Sequence, residues 1–197
     1  LQSHMIMAES PNSATKSRLS SSKAKNVARS AELELSKTSL DATRQAITTL
    51  EALVKDASFR RLQIDERIGI YHTLASAYGR LQAFKEQEVL IVELLQDEAF
   101  KPYWISLKAT LANSYLAQEN LIGASKIMKE LLRNPKRRLS SEDAAIVATL
   151  HTQLERHTES MLKLAESKFY LKEYTEACTI YQYLWEAANA GAFPRYY

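Results

Sequence analysis

Glycine and proline are scarce in this chain of 197 residues, with four of each. An all-β protein needs many more turn-forming residues, so this scarcity favours helices before any pattern is considered. The only cysteine, Cys178, excludes an internal disulfide and is typical of a reducing compartment, so we expect a cytoplasmic protein. No apolar run approaches the roughly 18 residues of a membrane span, and we expect no transmembrane segment.

Residue clusters that carry enzyme chemistry are also missing. The four glycines stand alone, so the sequence contains no glycine-rich loop for a phosphate. His151 and His157 are six positions apart, which places them on different faces of a helix and makes them a poor metal-binding pair. Cys178 adjoins Ala177 at a predicted packing position, and we interpret it as a buried structural thiol. The sequence therefore predicts no enzyme, no cofactor, no metal and no small-molecule substrate.

The formal charge of +3 comes from the first 25 residues, which hold four basic residues and one acidic residue. The remainder carries 22 residues of each sign, so the body of the chain is neutral. Proteins that bind nucleic acid usually present a basic face, so this neutrality disfavours that class. The two basic clusters of the body, "FRRLQ" and "NPKRR", are interpreted as solvated helix ends.

Both ends of the chain differ from its body. Residues 1–22 begin with "LQSHM", which has the composition of a cloning scar, and continue as a Ser-rich basic leader. The leader has too few large apolar residues to offset the entropy lost on ordering, so we expect it to be disordered. Residues 23–190 are predicted to form the folded domain. Residues 191–197 are interpreted as a tail or a point of truncation, because "AFPRYY" lacks the polar cap that helical arrays need.

In the body, apolar residues recur every three or four positions, which is the spacing of one helix face. The spacing predicts at least seven helices and no sheet. The run 89–95 is apolar on nearly all sides and predicts a buried helix. Pro102 suits the first turn of a helix, and Ser140 is a typical N-cap. The stretch that follows Ser140 contains no Gly or Pro up to Leu171, so it predicts either one long helix or two helices that meet near 157–160.

One pattern occurs three times. It comprises a large apolar residue, a small residue and a tyrosine, followed after nine positions by a second small residue and then by apolar residues. The complete copy contains Leu111, Ala112, Tyr115, Ala124, Met128 and Leu131. A copy 37 positions earlier contains Leu74, Ala75, Tyr78, Ile91 and Leu94, with Gln87 at the second small position. A later copy contains Leu164, Ala165, Tyr174, Ala177, Tyr181 and Leu184, with Lys168 at the tyrosine position and Phe169 next to it. Half of a further copy is represented by Ala46, Leu50 and Leu53.

This pattern resembles the tetratricopeptide repeat, a helix–turn–helix unit of about 34 residues. The resemblance covers residues 26–190 and implies an all-α fold, a right-handed α-solenoid of stacked helix–turn–helix units. The interval from Ala124 to Ala177 exceeds one period of the family by more than half, which predicts an extended or an extra helix. The family's tryptophan position holds Tyr71 in one unit and Lys108 in the next. A helical array of another kind is therefore the alternative.

In the resembled family, the first helices of successive units line a concave groove that binds a partner. The resemblance implies that this groove is lined by His72, Ser76, Arg80, Ala109, Asn113, Leu116, Lys163, Glu166 and Tyr170. Asn113 matches an asparagine that bonds the main chain of a bound peptide. Arg80 and Lys163 would favour an acidic ligand, unless Glu166 neutralises Lys163.

The function implied by the resemblance is a non-enzymatic protein–protein interaction module, a scaffold or adaptor that binds a peptide segment or a protein surface. Two alternatives stay open, namely a secretion or assembly chaperone that holds a client protein and a structural subunit of a large complex. Self-association through the ends of the array, which include Tyr196 and Tyr197, is a further expectation.

Ala124→Trp and Ala177→Trp are expected to destabilise the fold, because both alanines are predicted to lie where two helices approach closely. Overpacking a helix contact costs about 1–3 kcal/mol, and tryptophan is a severe case. The free energy of unfolding in urea measures the effect. Unfolding midpoints equal to that of the unsubstituted protein would show that the predicted repeat register is wrong.

Overall fold

The computed structural model describes residues 12–37, 39–133 and 139–191. Within these ranges the chain is entirely helical, which confirms the predicted all-α class. The residues divide into two compact units between Gln82 and Ala83. Two short 3-10 helices, Phe59–Arg61 and Glu98–Tyr103, accompany eight α-helices: α1 (Asn12–Ser36), α2 (Leu40–Lys55), α3 (Ile64–Arg80), α4 (Phe84–Gln96), α5 (Trp104–Ala117), α6 (Leu121–Leu132), α7 (Ser141–Tyr170) and α8 (Tyr174–Ala190).

Helix α1 begins earlier than the composition predicts. It runs from Asn12, so residues 12–22 are helical although the sequence predicts disorder up to residue 22. The segment has no Gly or Pro to interrupt a helix that is nucleated further along the chain. The buried side chains described in α1 are Ala24, Ala28, Ala31 and Leu35. The rest of the predicted leader, and residues 192–197, lie outside the described residues.

The first unit comprises α1, α2 and α3. Helix α2 packs against both of the others, and the 3-10 helix Phe59–Arg61 lies against α1 and α2. Helix α1 buries Ala24, Ala28, Ala31 and Leu35, which recur at spacings of four, three and four residues. The sequence pattern found Ala46, Leu50 and Leu53 as the second half of a repeat without its first helix. Helix α1, which packs against them, is that first helix. The periodicity of large apolar residues in the sequence does not reveal this helix, because its buried face consists almost entirely of alanine.

The second unit contains α4 to α8. Helix α5 packs against α4, α6 and α7, and α8 packs against α6 and α7. Its largest fully buried side chains include Phe100, Leu107, Leu121 and Met128. Helix α4 does not have the all-round burial predicted for the run 89–95, since Val89 and Val92 are exposed. Within its unit α4 packs only on α5 and the 3-10 helix Glu98–Tyr103, which cover one side.

One residue with a left-handed backbone conformation follows each of α3, α5 and α7, with φ of 57° at Gln82, 58° at Glu119 and 64° at Lys172. These residues are 37 and 53 positions apart, the spacings found in the sequence pattern. In the last two turns the next N–H donates to the carbonyl five residues back, from Asn120 to Tyr115 (2.8 Å) and from Glu173 to Lys168 (2.9 Å). These bonds satisfy carbonyls that a helix end would leave exposed.

A tyrosine–glutamate hydrogen bond also recurs at the interval of 37 positions. The Tyr78 hydroxyl donates to Glu51 Oε1 and the Tyr115 hydroxyl donates to Glu88 Oε1, each at 2.6 Å. Burial and the adjoining Glu88 carboxylate raise the pKa of Tyr115 to about 12. The first bond ties α3 to α2, and the second ties α5 to α4. In the last hairpin Lys168 replaces the tyrosine and instead pairs with two carboxylates of its own hairpin, Glu173 and Glu176.

Helix α7 accounts for the longer interval before the last copy of the pattern. It is one continuous helix of 30 residues, which confirms the first of the two predictions for this stretch. The equivalent helix of the preceding hairpin, α5, has only 14 residues, and this difference in length lengthens the interval. The Ser140 hydroxyl accepts from the Asp143 N–H at 3.0 Å and caps its start, as predicted. Pro102, by contrast, lies in the 3-10 helix that precedes α5 and not in the first turn of an α-helix.

The last helix is fastened to α6 by two contacts. The Tyr183 hydroxyl donates to the Glu119 carbonyl and accepts from the Leu121 N–H, both at 2.8 Å, so it bonds to the turn between α5 and α6. At the end of α8, Gly191 lies directly on Ser125, where an added Cβ would stand 2.4 Å from the Ser125 Cβ. Since Ser125 is fully buried, only glycine fits at this point of contact.

Gly191→Ala is therefore expected to destabilise the second unit by about 1–3 kcal/mol, the usual cost of overpacking. Gly69→Ala is the matched control, because Gly69 lies inside α3 and its added Cβ would meet no atom within 4 Å. That control should stabilise the protein by up to about 1 kcal/mol through helix propensity. Urea unfolding of both variants measures the difference, and equal shifts would contradict the close contact between Gly191 and Ser125.

Candidate functional site

Three of the predicted groove residues line one cleft in the first unit. His72, Ser76 and Arg80 lie one turn apart along α3, and residues near the end of α1 complete the walls. The cleft has a volume of about 440 Å³ and is lined by Glu32, Leu35, Ser36, His72, Thr73, Ser76 and Arg80. The sequence pattern therefore placed these three side chains on a shared surface, although it did not identify α1 as the opposite wall.

Two of the cleft residues have environments that the sequence does not indicate. The Arg80 guanidinium donates to the Leu35 carbonyl in the last turn of α1, where a cation also stabilises the helix dipole. Arg80 is therefore occupied in holding α1 to α3. Burial lowers the pKa of His72, so its imidazole is neutral near pH 7. The cleft consequently has less positive charge to offer a ligand than the sequence suggested.

In the second unit, two of the predicted groove residues belong to the core. Leu116 and Ala109 of α5 are both buried, so neither side chain lines an open groove. The interval of 37 positions makes Ala117 the equivalent of Arg80, and Leu116 is one position away. One position is a rotation of about 100° around a helix axis, which is enough to turn an exposed side chain into a core residue.

The other predicted residues of the second unit are exposed. Asn113 lies on α5, and Lys163, Glu166 and Tyr170 lie on α7, which packs against α5. By the intervals of 37 and 53, Glu166 occupies the position of Asn113 and Ser76. Lys163 is one position beyond Leu162, which is the true equivalent of His72. Alignment of α3, α5 and α7 by these intervals therefore puts Leu162, and not Lys163, at the predicted groove position. Sequence reasoning missed this apolar residue.

Leu162, Glu166 and Tyr170 form a stripe on α7, spaced four residues apart on one face of the helix. Leu162 is 40% exposed and Tyr170 is 82% exposed. Among the described residues Glu166 forms no ion pair, so its carboxylate faces solvent between two apolar side chains. We call this set, with Asn113 of the adjoining α5, the α5–α7 surface. Its polar centre and apolar flanks could accept a side chain of positive charge within an apolar segment.

A second apolar surface lies on the other side of the last hairpin. Five of its positions are exposed, whereas their equivalents in the hairpin of α5 and α6 are buried. On α7, Leu164 and Phe169 correspond to the buried Leu111 and Leu116. On α8, Tyr174, Cys178 and Tyr181 correspond to the buried Leu121, Ser125 and Met128.

Cys178 is consequently an exposed thiol, and its interpretation as a buried structural cysteine is wrong. The repeat pattern identified its position correctly as a packing position. It could not show that the described residues contain no helix to pack there.

No group of three His, Cys, Asp or Glu side chains in the described ranges is arranged to hold a metal ion. Each described helix is too short or too polar to cross a lipid bilayer. Comparison of the chain with protein-family models, with curated proteins and with solved structures finds no match.

Arg80→Ala is expected to lower the free energy of unfolding by about 1 kcal/mol, because it removes a charged hydrogen bond and a favourable dipole contact at the end of α1. Ser76→Ala, one turn away on the same helix, is the control and should change stability by less than about 0.5 kcal/mol. Urea unfolding of both variants provides the measurement. If Arg80→Ala were as stable as the control, the Arg80 side chain would be free to bind a ligand.

Proposed function

We propose that this chain is a non-enzymatic protein–protein interaction module, built as a right-handed, tetratricopeptide-like α-solenoid. Support for the solenoid comes from the three equivalent turns and from the two tyrosine–glutamate bonds at an interval of 37 positions. Further support comes from the second unit, where the hairpin of α5 and α6 packs against the hairpin of α7 and α8. Stacked hairpins present their first helices side by side, which provides an extended surface for a partner.

The α5–α7 surface is the proposed binding site for a segment of a partner protein. The observation that carries this proposal is the Glu166 carboxylate, unpaired among the described residues, between the exposed Leu162 and Tyr170. An apolar segment with one Lys or Arg would cover both apolar residues and pair its cation with Glu166. Asn113 can donate and accept hydrogen bonds with the main chain of the segment. This ligand is opposite in charge to the one that Arg80 and Lys163 suggested, because Arg80 belongs to the first unit, where it bonds to α1, and Leu162 takes the position that Lys163 was expected to hold.

The proposal is tested by selecting peptides from a random displayed library on the unsubstituted protein and measuring the affinity of the selected sequences by fluorescence anisotropy. Selected peptides are expected to share a basic residue flanked by apolar residues. Glu166→Lys should weaken their binding at least tenfold by placing two cations together, and Asn113→Ala should weaken it about fivefold, for roughly 1 kcal/mol of hydrogen bonding.

Glu93→Lys is the matched control, since Glu93 is an exposed glutamate of the same unit, on α4, and should leave the affinity unchanged. Far-ultraviolet spectra verify that each variant is folded. Acidic selected peptides, or equal losses in Glu166→Lys and Glu93→Lys, would overturn the proposed site.

A further inference from the structure

Helix α8 has two apolar faces, and only one of them is buried. The buried face carries the small residues Ala177 and Ala187 and ends at Gly191, which contacts α6. The other face carries exposed residues at spacings of four, three and four positions, which place them in a line along the helix. We call this line the α8 stripe: Tyr174, Cys178, Tyr181 and Trp185, of which Trp185 is 68% exposed.

The α8 stripe is continuous with exposed apolar residues of α7. The Phe169 ring lies 5.4 Å from the Tyr174 ring, measured between centroids, with an angle of 69° between the ring planes. Leu164 is also exposed on α7. Apart from Trp185, whose equivalent Leu132 is exposed, these residues occupy positions at which the preceding hairpin is buried by the packing of α7 and α8 against α5 and α6. The surface therefore has the residue pattern of an internal helix-packing interface, with nothing from the described residues packed against it.

The exposed area is large enough to support association. An aromatic side chain contributes about 150–250 Å² when fully exposed. The four rings of Phe169, Tyr174, Tyr181 and Trp185, which are 39–68% exposed, therefore offer roughly 400 Å² per copy. A standard interface buries about 800 Å² on each partner, so the rings alone supply about half of it.

The chemistry of α1 argues against head-to-tail stacking of copies. The exposed positions described in α1 are almost all polar or charged, including Lys23, Lys25, Arg29 and Glu32, and Leu33 is the exception. Covering the aromatic rings with that face would desolvate charges without partners, which is costly. The same surface on a second copy offers apolar side chains to apolar side chains. A surface that binds its own copy closes as a two-fold dimer.

We propose that two copies of this chain associate through the α8 stripe, with Leu164 and Phe169 beside it, about a two-fold axis. The α8 stripes of the two copies face each other, and the Trp185 rings become buried. Cys178 lies within the interface, where it is shielded from solvent. This surface shares no residue with the α5–α7 surface, and the two adjoin only where the Phe169 ring meets the Tyr170 ring, so the failure of either proposal leaves the other standing.

The experiment measures the mass of the full chain in solution by light scattering after gel filtration, over a hundredfold range of concentration. We expect twice the chain mass of 22.4 kDa at the higher concentrations. Trp185→Glu and, separately, Tyr174→Glu should raise the dissociation constant at least tenfold. Leu33→Glu is the matched control, because Leu33 is as exposed as Trp185 but lies on α1. It should leave the dimer intact.

A second readout is the rate at which a maleimide reagent labels Cys178, the only thiol in the chain. Labelling should be slow in the dimer and at least tenfold faster in Trp185→Glu under the same conditions. A monomer at every concentration with rapid labelling would overturn the proposal. So would oligomers that keep growing with concentration, which indicate head-to-tail stacking, or a dimer that Leu33→Glu disrupts and Trp185→Glu does not.

Discussion

Close approach of paired helices at alanine is the constraint on which the rest of this structure depends. Ala112 and Ala124 are fully buried in the hairpin of α5 and α6, and Ala165 and Ala177 are buried in the hairpin of α7 and α8. A methyl group at each crossing lets the two backbones come near enough for larger side chains on either side to interdigitate. In α1 the same principle extends from Ala24 through Ala28 to Ala31, three successive buried positions that are all alanine. A hairpin closed in this way is thin, and it buries its remaining apolar face only by stacking on another hairpin.

Two local features define the hairpins of the second unit. In the turns of α5–α6 and α7–α8, a left-handed residue that is not glycine reverses the chain, and the N–H of the next residue satisfies an exposed carbonyl. A tyrosine then connects the first helix to the helix before it through a carboxylate. Where Lys168 replaces that tyrosine, the long side chain pairs within its own hairpin instead. The last hairpin therefore depends on other contacts with α6, namely the Tyr183 hydroxyl and the close approach of Gly191 to Ser125.

These contacts also determine which surfaces are open to a partner. Arg80 is committed to the end of α1, and His72 is partly buried and neutral, so the cleft of the first unit carries little positive charge. Glu166 forms no ion pair among the described residues and lies between Leu162 and Tyr170, which is the basis for the basic and apolar ligand that we propose. The α8 stripe has no charged side chain among its four members. We therefore propose different occupants for the two surfaces, a partner segment for the α5–α7 surface and a second copy of the chain for the α8 stripe.

The sequence by itself determined the helical class, the two intervals between copies of the pattern, the N-cap at Ser140 and the alanines at the helix crossings. These features depend on local spacing and on backbone propensity, which neighbouring residues specify. Only the tertiary structure decided which equivalent positions are covered, because burial depends on whether another helix lies alongside. Met128 and Tyr181 share a position in the pattern, yet Met128 is buried and Tyr181 is exposed. Likewise, Arg80 meets a carbonyl 45 residues away, and Leu116 faces the core and not the groove, since a single step along a helix turns the side chain by about 100°.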